Sequence, residues 1–220
     1  MNKAQRNIQI IFTIALCAYA LLGLLQGNGS IFFIVYLFWF DELIRTISLY
    51  VQSKIYTKRN PTDQSFKTSF KLIKGRIFML LVYSVFIVIV FGIFFNIFQK
   101  DLDNLTQNVL ILTFNNLSFN ICLLISIVRE ILTIRANSKL LKNYKPDVQL
   151  MSTNIMTLHI SIILGGLFWA FVNGKIGNYK LDLGLFQPYA IGIPFFAIKL
   201  FFDIRAAKED SNNVVEQRKV

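Results

Sequence analysis

The stretch Tyr36-Leu-Phe-Trp-Phe-Asp-Glu-Leu-Ile-Arg45 places two carboxylates and one guanidinium inside an apolar run that covers residues 31–51. A run of this length can cross a bilayer, because a membrane-spanning helix needs about 20 mostly apolar residues. Each charge within it costs roughly 2.5–3.5 kcal/mol on insertion scales and is retained mainly where it faces a bundle interior or a wet cavity. The stretch therefore predicts a membrane helix that contributes to a buried polar layer.

The composition of the whole chain supports the membrane class. Of its 220 residues, 55% are hydrophobic and 22 are phenylalanine, whereas soluble domains average about 45–50% apolar residues in broken patterns. The net charge of +11 does not indicate nucleic acid, because the basic residues lie in loops beside apolar segments. That distribution is typical of membrane topology.

Six apolar segments predict an all-α polytopic fold, with the spans joined as three antiparallel hairpins. They cover residues 8–25, 31–51, 77–98, 108–132, 154–172 and 185–204, in one domain over 1–205 that is followed by a charged tail over 206–220. The tight turn Gly27-Asn-Gly-Ser30 joins the first two spans.

The basic residues also predict the orientation of the spans. The segments 1–7, 52–76, 135–148 and 205–220 hold 2, 7, 4 and 4 basic residues, and the loops on the other side hold 0, 1 and 2. The positive-inside rule then places both termini in the cytoplasm and the protein in the cell inner (plasma) membrane.

With this topology the second, fourth and sixth spans run in the same direction, and each carries an acid and a base in its inner part. The residues are Asp41, Glu42 and Arg45 in the second span, Arg129 and Glu130 in the fourth, and Lys199 and Asp203 in the sixth. Glu42 and Arg45 (i,i+3) and Lys199 and Asp203 (i,i+4) can each meet on one helix face. Adjacent residues such as Arg129 and Glu130 point apart, so we expect them to seek partners on neighbouring helices.

Two interpretations of this polar layer are open. Charges within a membrane favour a functional site, so Asp41, Glu42 and Arg45, with Lys199 and Asp203, are candidates for a substrate or ion path. Glu42 is the candidate proton-titrating group. In the other interpretation the pairs only fix helix rotation, and we assign that role to the structural ion pairs of Arg129 and Glu130.

Two further groups of polar residues are candidate sites. Asn116 and Asn120 share a face at helical spacing, which favours hydrogen bonds between helices or the lining of the same path. Lys67, Lys71 and Lys74 follow the break at Pro61, and such a segment can lie in the headgroup plane. These lysines predict contact with anionic lipid or an acidic partner; the alternative is an ordinary solvated lead-in to the third span.

Motifs for established chemistry are absent from the sequence. Two cysteines without a CxxC and a single histidine give no metal signature, so we expect no metal and no cofactor. No GxxxxGK[ST] or GxSxG is present. Enzyme activity is therefore the weaker expectation, although Glu42 and Asp203 could act as acid and base in a carboxylate-based intramembrane enzyme.

Both ends of the chain resemble a family of bacterial multi-pass integral membrane proteins of unknown function. The run around Trp39 and Glu42 is similar to a Tyr-Trp-x-Glu signature, with a longer gap before the glutamate. The ending Ile198-Lys-Leu-Phe-Phe-Asp-Ile-Arg205 is similar to a Lys-x-x-x-Asp-x-Arg ending. The resemblance implies a membrane-embedded domain with paired acidic and basic sites and brings no activity, substrate or cofactor.

These observations together predict a small transporter or channel-like protein with a buried acid/base layer on its cytoplasmic half. A membrane scaffold or partner-binding subunit of a larger complex is the alternative, and a carboxylate-based intramembrane enzyme is the third possibility. The expected partners are the lipid bilayer with its anionic headgroups and either a second copy of the chain or another membrane protein; nucleic acid is not expected.

Overall fold

The computed structural model describes residues 3–25, 30–61, 65–94, 102–138, 146, 148–151, 153–172 and 195–205. Its helices are α1 (Lys3–Leu25), α2 (Ile31–Arg59), α3 (Ser65–Phe86) with a π-helical continuation (Ile87–Phe94), α4 (Leu102–Leu112), α5 (Leu117–Ser138) and α6 (Thr153–Val172). A last helix, α7, is described over 195–205. These residues contain no strand, so the predicted all-α class is confirmed.

Helix α2 is the central element, because it contacts α3, the π-helical segment, α4, α5 and α6. It begins after Ser30, whose side-chain oxygen accepts a hydrogen bond from the Phe33 N–H at 3.3 Å and caps the helix. It ends at Arg59, two turns beyond the predicted limit of the second span at residue 51. The backbone N–H of Asn60 closes the last turn, and Pro61 follows.

Helix α3 runs antiparallel to α2. Trp39 Nε1 donates to the backbone oxygen of Leu80 at 2.6 Å, and the rings of Tyr50 and Phe70 lie 6.1 Å apart. Residue numbers therefore increase along α2 while those of the contacting residues on α3 decrease. The π-helical segment extends α3 and packs on the start of α2. There the amide of Asn108, on α4, donates to the backbone oxygen of Gly92 at 3.2 Å.

Helices α4 and α5 are separate, although a continuous fourth span over 108–132 was expected. The chain leaves the helical path at residues 113–116, where Phe114 has a φ of 59°. Asn116 then caps α5, because its side-chain oxygen accepts the Phe119 N–H at 2.9 Å. The interruption is therefore encoded locally, by a left-handed residue followed by an N-cap asparagine.

Helices α2, α5 and α7 run parallel to one another. Contacting side chains on α2 and α5 are 85 residues apart in sequence, both at Asp41–Ser126 and at Gln52–Asn137. Contacting residues on α2 and α7 are 158 apart at Asp41–Lys199, and Phe38–Phe196 keeps that separation. A constant separation over successive turns requires two helices that run in the same direction and in register.

The packing of α1 differs from the predicted first hairpin. Helix α1 packs on α5, and α5 also packs on α2, whereas contact between α1 and α2 is slight. Near the end of α1, Gly23 faces Ser118 on α5, since a Cβ at Gly23 would lie 3.4 Å from the Ser118 Cβ. The first two helices are therefore consecutive in sequence but separated by α5 in the bundle.

By length and composition, two stretches could cross a membrane: Lys67–Ile93, and Leu105–Asn137, which contains most of α4 and α5 together with the interruption between them. Their outer faces are apolar: Phe78 on α3 and Leu124 on α5 are both more than half exposed. The first stretch begins ten residues before the third span predicted at 77–98. The tail over 206–220 and the part of the sixth span before residue 195 lie outside the described residues.

Candidate functional site: a ring of six charges

Three acids and three bases from α2, α5 and α7 form a closed ring in which the signs alternate. Going round the ring, the nitrogen–oxygen distances are Lys199–Asp41 2.7 Å, Asp41–Arg129 2.8 Å, Arg129–Glu130 3.1 Å, Glu130–Arg45 3.9 Å, Arg45–Asp203 4.0 Å and Asp203–Lys199 3.2 Å. Each helix contributes one acid and one base. The ring therefore has no net charge, and every member has two partners of opposite sign.

The parallel register of the three helices brings the ring together. Asp41, Ser126 and Lys199 occupy equivalent positions on α2, α5 and α7, and they contact one another through Asp41. One turn later Arg45 stands beside Glu130 and Asp203. The ring therefore occupies about one helical turn of a bundle whose helices are aligned over their whole contact.

The Asp41 carboxylate is the best-satisfied group of the ring. One oxygen accepts hydrogen bonds from the Ser126 hydroxyl and from Arg129, and the other accepts from Lys199. The Lys199 ammonium also lies 5.0 Å from the centre of the Phe38 ring, which is within the range of a cation–π contact. Asp41 is thus held on both sides by cations from two different helices.

Arg45 is the loosest member. Its two ion-pair distances are the longest of the ring, and its side chain is 22% exposed, compared with 8% or less for the other five. Both oxygens of Asp203 and the Nη1 atom of Arg129 are buried without a hydrogen-bond partner among the described residues. Asp203, one of the two partners of Arg45, and Arg129 therefore retain unused hydrogen-bonding capacity.

A separate buried ion pair lies beside the ring. Glu42 contacts Arg76 on α3, and Arg76 Nη1 also donates to the backbone oxygen of Gln149 at 3.3 Å. Helical spacing predicts Arg45 beside Glu42, whereas the ion pairs of Arg45 are with Glu130 and Asp203. Sequence reasoning missed Arg76, because it counted this residue among the basic charges of the 52–76 loop.

The chain matches a family of unknown function (DUF6498) over residues 1–219. It belongs to this family. No curated protein and no solved structure matches it. Membership agrees with the predicted resemblance to a family without an assigned activity, and the two motif correspondences stay predictions. The second motif region supplies Lys199 and Asp203 to the ring, and the first supplies Asp41, whereas its glutamate, Glu42, pairs with Arg76 beside the ring.

The two asparagines of the predicted path have local partners in this family member. Asn116 caps α5, and the Asn120 amide donates to the backbone oxygen of Phe114 at 2.7 Å. Both hydrogen bonds stabilise the interruption between α4 and α5, which lies more than three helical turns before Arg129. The residue that α5 does bring to the ring beside its charges is Ser126, on the same helix face as Glu130.

The three lysines at positions 67, 71 and 74, called the α3 lysines from here on, are all exposed on one face of α3. Lys74 lies 4.6 Å from the centre of the Phe70 ring, and Ile73, between these lysines, is buried. The lysines are therefore available to lipid or to a partner, and their predicted contact with either stays a prediction. Over the described ranges, no three His, Cys, Asp or Glu side chains form a group that could hold a metal ion.

Proposed function

We propose that this protein is a small six-span transporter of the cell membrane, with both termini cytoplasmic, in which the ring of six charges exchanges protons. The six spans are α1, α2, α3 with its π-helical segment, α4 with α5, α6, and the segment that ends in α7. Support comes from the parallel arrangement of α2, α5 and α7 and from the antiparallel pairing of α2 with α3. The outward-facing apolar side chains of α3 and α5 would contact lipid.

The observation that carries the proposal is that every charge in the ring has two partners. When a proton neutralises one carboxylate, each cation beside it still has a second acid to pair with. Lys199, for example, can shift between Asp41 and Asp203, which lie 2.7 and 3.2 Å away. Protonation of one acid would therefore rearrange the ring without leaving an unpaired cation in the bundle.

Stability alone gives no reason to keep such a ring. Buried ion pairs can often be replaced by packed apolar residues at no loss of stability, or with a gain of about 1–4 kcal/mol. Ionisable groups inside a membrane bundle accordingly tend to mark ion paths and proton relays. Six such groups arranged in alternation are better suited to exchanging partners than to holding three helices together.

The test is proton flux in liposomes that contain a pH-sensitive dye and are driven by an imposed membrane potential. The variant is Lys199→Gln with Asp203→Asn, which removes one acid and one base and leaves the pairs Asp41–Arg129 and Glu130–Arg45 in place. The comparison variant is Glu42→Gln with Arg76→Gln, which likewise removes one acid and one base, but from the ion pair beside the ring. Both variants keep the net charge of the protein.

Loss of flux in the ring variant alone would assign proton exchange to the ring. Loss in both variants would extend the path to Glu42, as the sequence predicts. If the wild-type protein and both variants are well folded and none moves protons, the transporter proposal is wrong. A scaffold or partner-binding subunit would then become the leading interpretation.

A further inference from the structure

The two halves of α2 bury opposite kinds of side chain, and the ring lies where they meet. Before the ring, residues 32–38 are all buried, and all are apolar or aromatic. After the ring the buried side chains are polar: Thr46, Ser48, Gln52 and Ser53. Burial of uncharged polar groups continues to Ser53, about 18 Å beyond Asp41 at 1.5 Å per residue.

These polar groups form a seam between α2 and α5, which we define as Ser48, Gln52 and Asn137. The Gln52 amide donates to the Ser48 hydroxyl at 3.1 Å, and the Asn137 amide donates to the Gln52 oxygen at 3.0 Å. On α2, Asp41, Arg45, Ser48 and Gln52 are spaced 4, 3 and 4 residues apart, so they lie on one helix face. The seam therefore continues the ring along the α2–α5 contact.

Two hydroxyls next to the seam carry the inference further. Thr46 Oγ1 and Ser53 Oγ are buried and have no hydrogen-bond partner among the described residues. Burying a hydroxyl without a partner costs about 1–3 kcal/mol, and buried polar groups of this kind are normally satisfied by water. Thr46 and Ser53 are seven residues apart and share a face of α2 with Glu42, about 100° round the helix from the face of Ser48 and Gln52. Water that satisfies these hydroxyls would therefore lie along the polar half of α2, beside the seam.

On the opposite side of the ring, aromatic side chains fill the contact between α2 and α5. The Phe119 ring on α5 lies 5.8 Å from the Phe33 ring and 5.5 Å from the Tyr36 ring, and Phe40 packs against both Tyr36 and Phe119. These four rings, which we call the aromatic plug, present only the Tyr36 hydroxyl as a polar side-chain atom. They fill the α2–α5 contact where the seam would otherwise continue.

We infer that the seam is a hydrated access path through which water and protons reach the ring from one side only. It opens near the end of α2, where Lys54, Lys58 and Arg59 are exposed, and the aromatic plug closes the other side. Basic residues at this end place the opening in the cytoplasm by the positive-inside rule. The inference rests on the proposed transporter function and adds the route and side of entry.

The test is the reactivity of single cysteines towards silver ion, a probe small enough to follow a narrow wet path. In a Cys17→Ala, Cys122→Ala background, Ser48→Cys probes the seam and Ser53→Cys probes the buried hydroxyl position beside it. Val35→Cys, on the same helix and equally buried, is the matched control on the plug side, and exposed Lys54→Cys is the positive control. The readout is the protection of each thiol from a fluorescent maleimide added after denaturation.

We expect the thiols at positions 48 and 53 to react within about tenfold of Lys54→Cys. Val35→Cys should react at least roughly 100-fold more slowly, since a thiol in a packed core is reached only by local opening. If Ser48→Cys and Ser53→Cys both react as slowly as Val35→Cys, the seam is dry and the inference is overturned. The assay does not depend on flux. If the thiols at positions 48 and 53 react but the protein moves no protons, the path is upheld and the transporter proposal is rejected. If the protein moves protons but these thiols do not react, the transporter proposal stands and the path is rejected.

Discussion

Replacing Arg76 by methionine should destabilise the protein strongly, because it removes the guanidinium that pairs with the buried Glu42 carboxylate. Glu42 is 3% exposed, and the arginine that contacts it is 2% exposed. Removing one partner of a buried ion pair costs about 3–5 kcal/mol, most of it from the remaining buried charge. Arg76→Met retains much of the apolar stem of the side chain, so the loss reflects charge more than volume.

The double variant Glu42→Gln with Arg76→Met separates these terms. With both charges removed, the site contains a neutral amide beside an apolar side chain, and such replacements are often close to neutral for stability. We therefore expect the double variant to recover most of the 3–5 kcal/mol lost in Arg76→Met. The double-mutant cycle then gives the coupling free energy of this pair.

The assay is thermal unfolding of the purified protein in detergent micelles, followed by tryptophan fluorescence. For a chain of this size, 1 kcal/mol corresponds to roughly 2–4 °C, so Arg76→Met should lower the midpoint by roughly 6–20 °C. Lys74→Met is the matched control: it removes a basic side chain two residues away on the same helix, but an exposed one, and such charges contribute about 0–1 kcal/mol.

Two results would refute this reasoning. An Arg76→Met midpoint close to that of Lys74→Met would mean that the Glu42–Arg76 contact is energetically unimportant. A double variant as unstable as Arg76→Met would mean that Arg76 stabilises the protein by other contacts, such as its hydrogen bond to the Gln149 backbone.

Three further predictions concern packing, capping and the basic face. Gly92→Ala should cost about 1–3 kcal/mol in the same unfolding assay, because its Cβ would lie 3.2 Å from the fully buried Phe32 ring. Gly75→Ala should cost less, although its Cβ would lie only 2.6 Å from Leu150, because that contact is the tip of a partly exposed side chain. Asn116→Ala should cost about 1 kcal/mol through loss of the α5 cap, and Asn116→Asp should restore it; equal midpoints for both would contradict the capping role. Changing the α3 lysines to glutamine should abolish the extra thermal stability that the protein gains in anionic rather than zwitterionic lipid, at about 1 kcal/mol per lysine. Proton flux should be unchanged. A loss of flux would instead connect this face to transport.

Local spacing in the sequence was enough to predict part of the site. Lys199 and Asp203 are four residues apart on one helix and do pair, at 3.2 Å. The expectation that Arg129 and Glu130 find partners on neighbouring helices is also met, by Asp41 and Arg45. However, Arg129 and Glu130 contact each other as well. The long, flexible arginine side chain can bend back towards its neighbour, which a rule based on Cβ directions does not capture.

What could not be predicted depends on which helices become neighbours. The apolar run predicts that the third span begins at residue 77, which leaves Arg76 in the polar segment 52–76. The helix begins at Ser65 and carries Arg76 into the bundle, opposite Glu42. The break before α5 did have a local signal, since Asn116 stands directly before an apolar helical run, in the usual place of an N-cap.

The connections of the ring identify α2 as the helix whose movement would open it. The links Arg129–Glu130 and Asp203–Lys199 each lie within one helix, whereas Asp41 and Arg45 each bridge α5 and α7. All four links between helices therefore pass through α2. The two longest are both made by Arg45, at the end of the ring where the seam begins. A small rotation or slide of α2 that separates Arg45 from Glu130 and Asp203 would thus open the ring towards the seam first, while Asp41 still holds the three helices together.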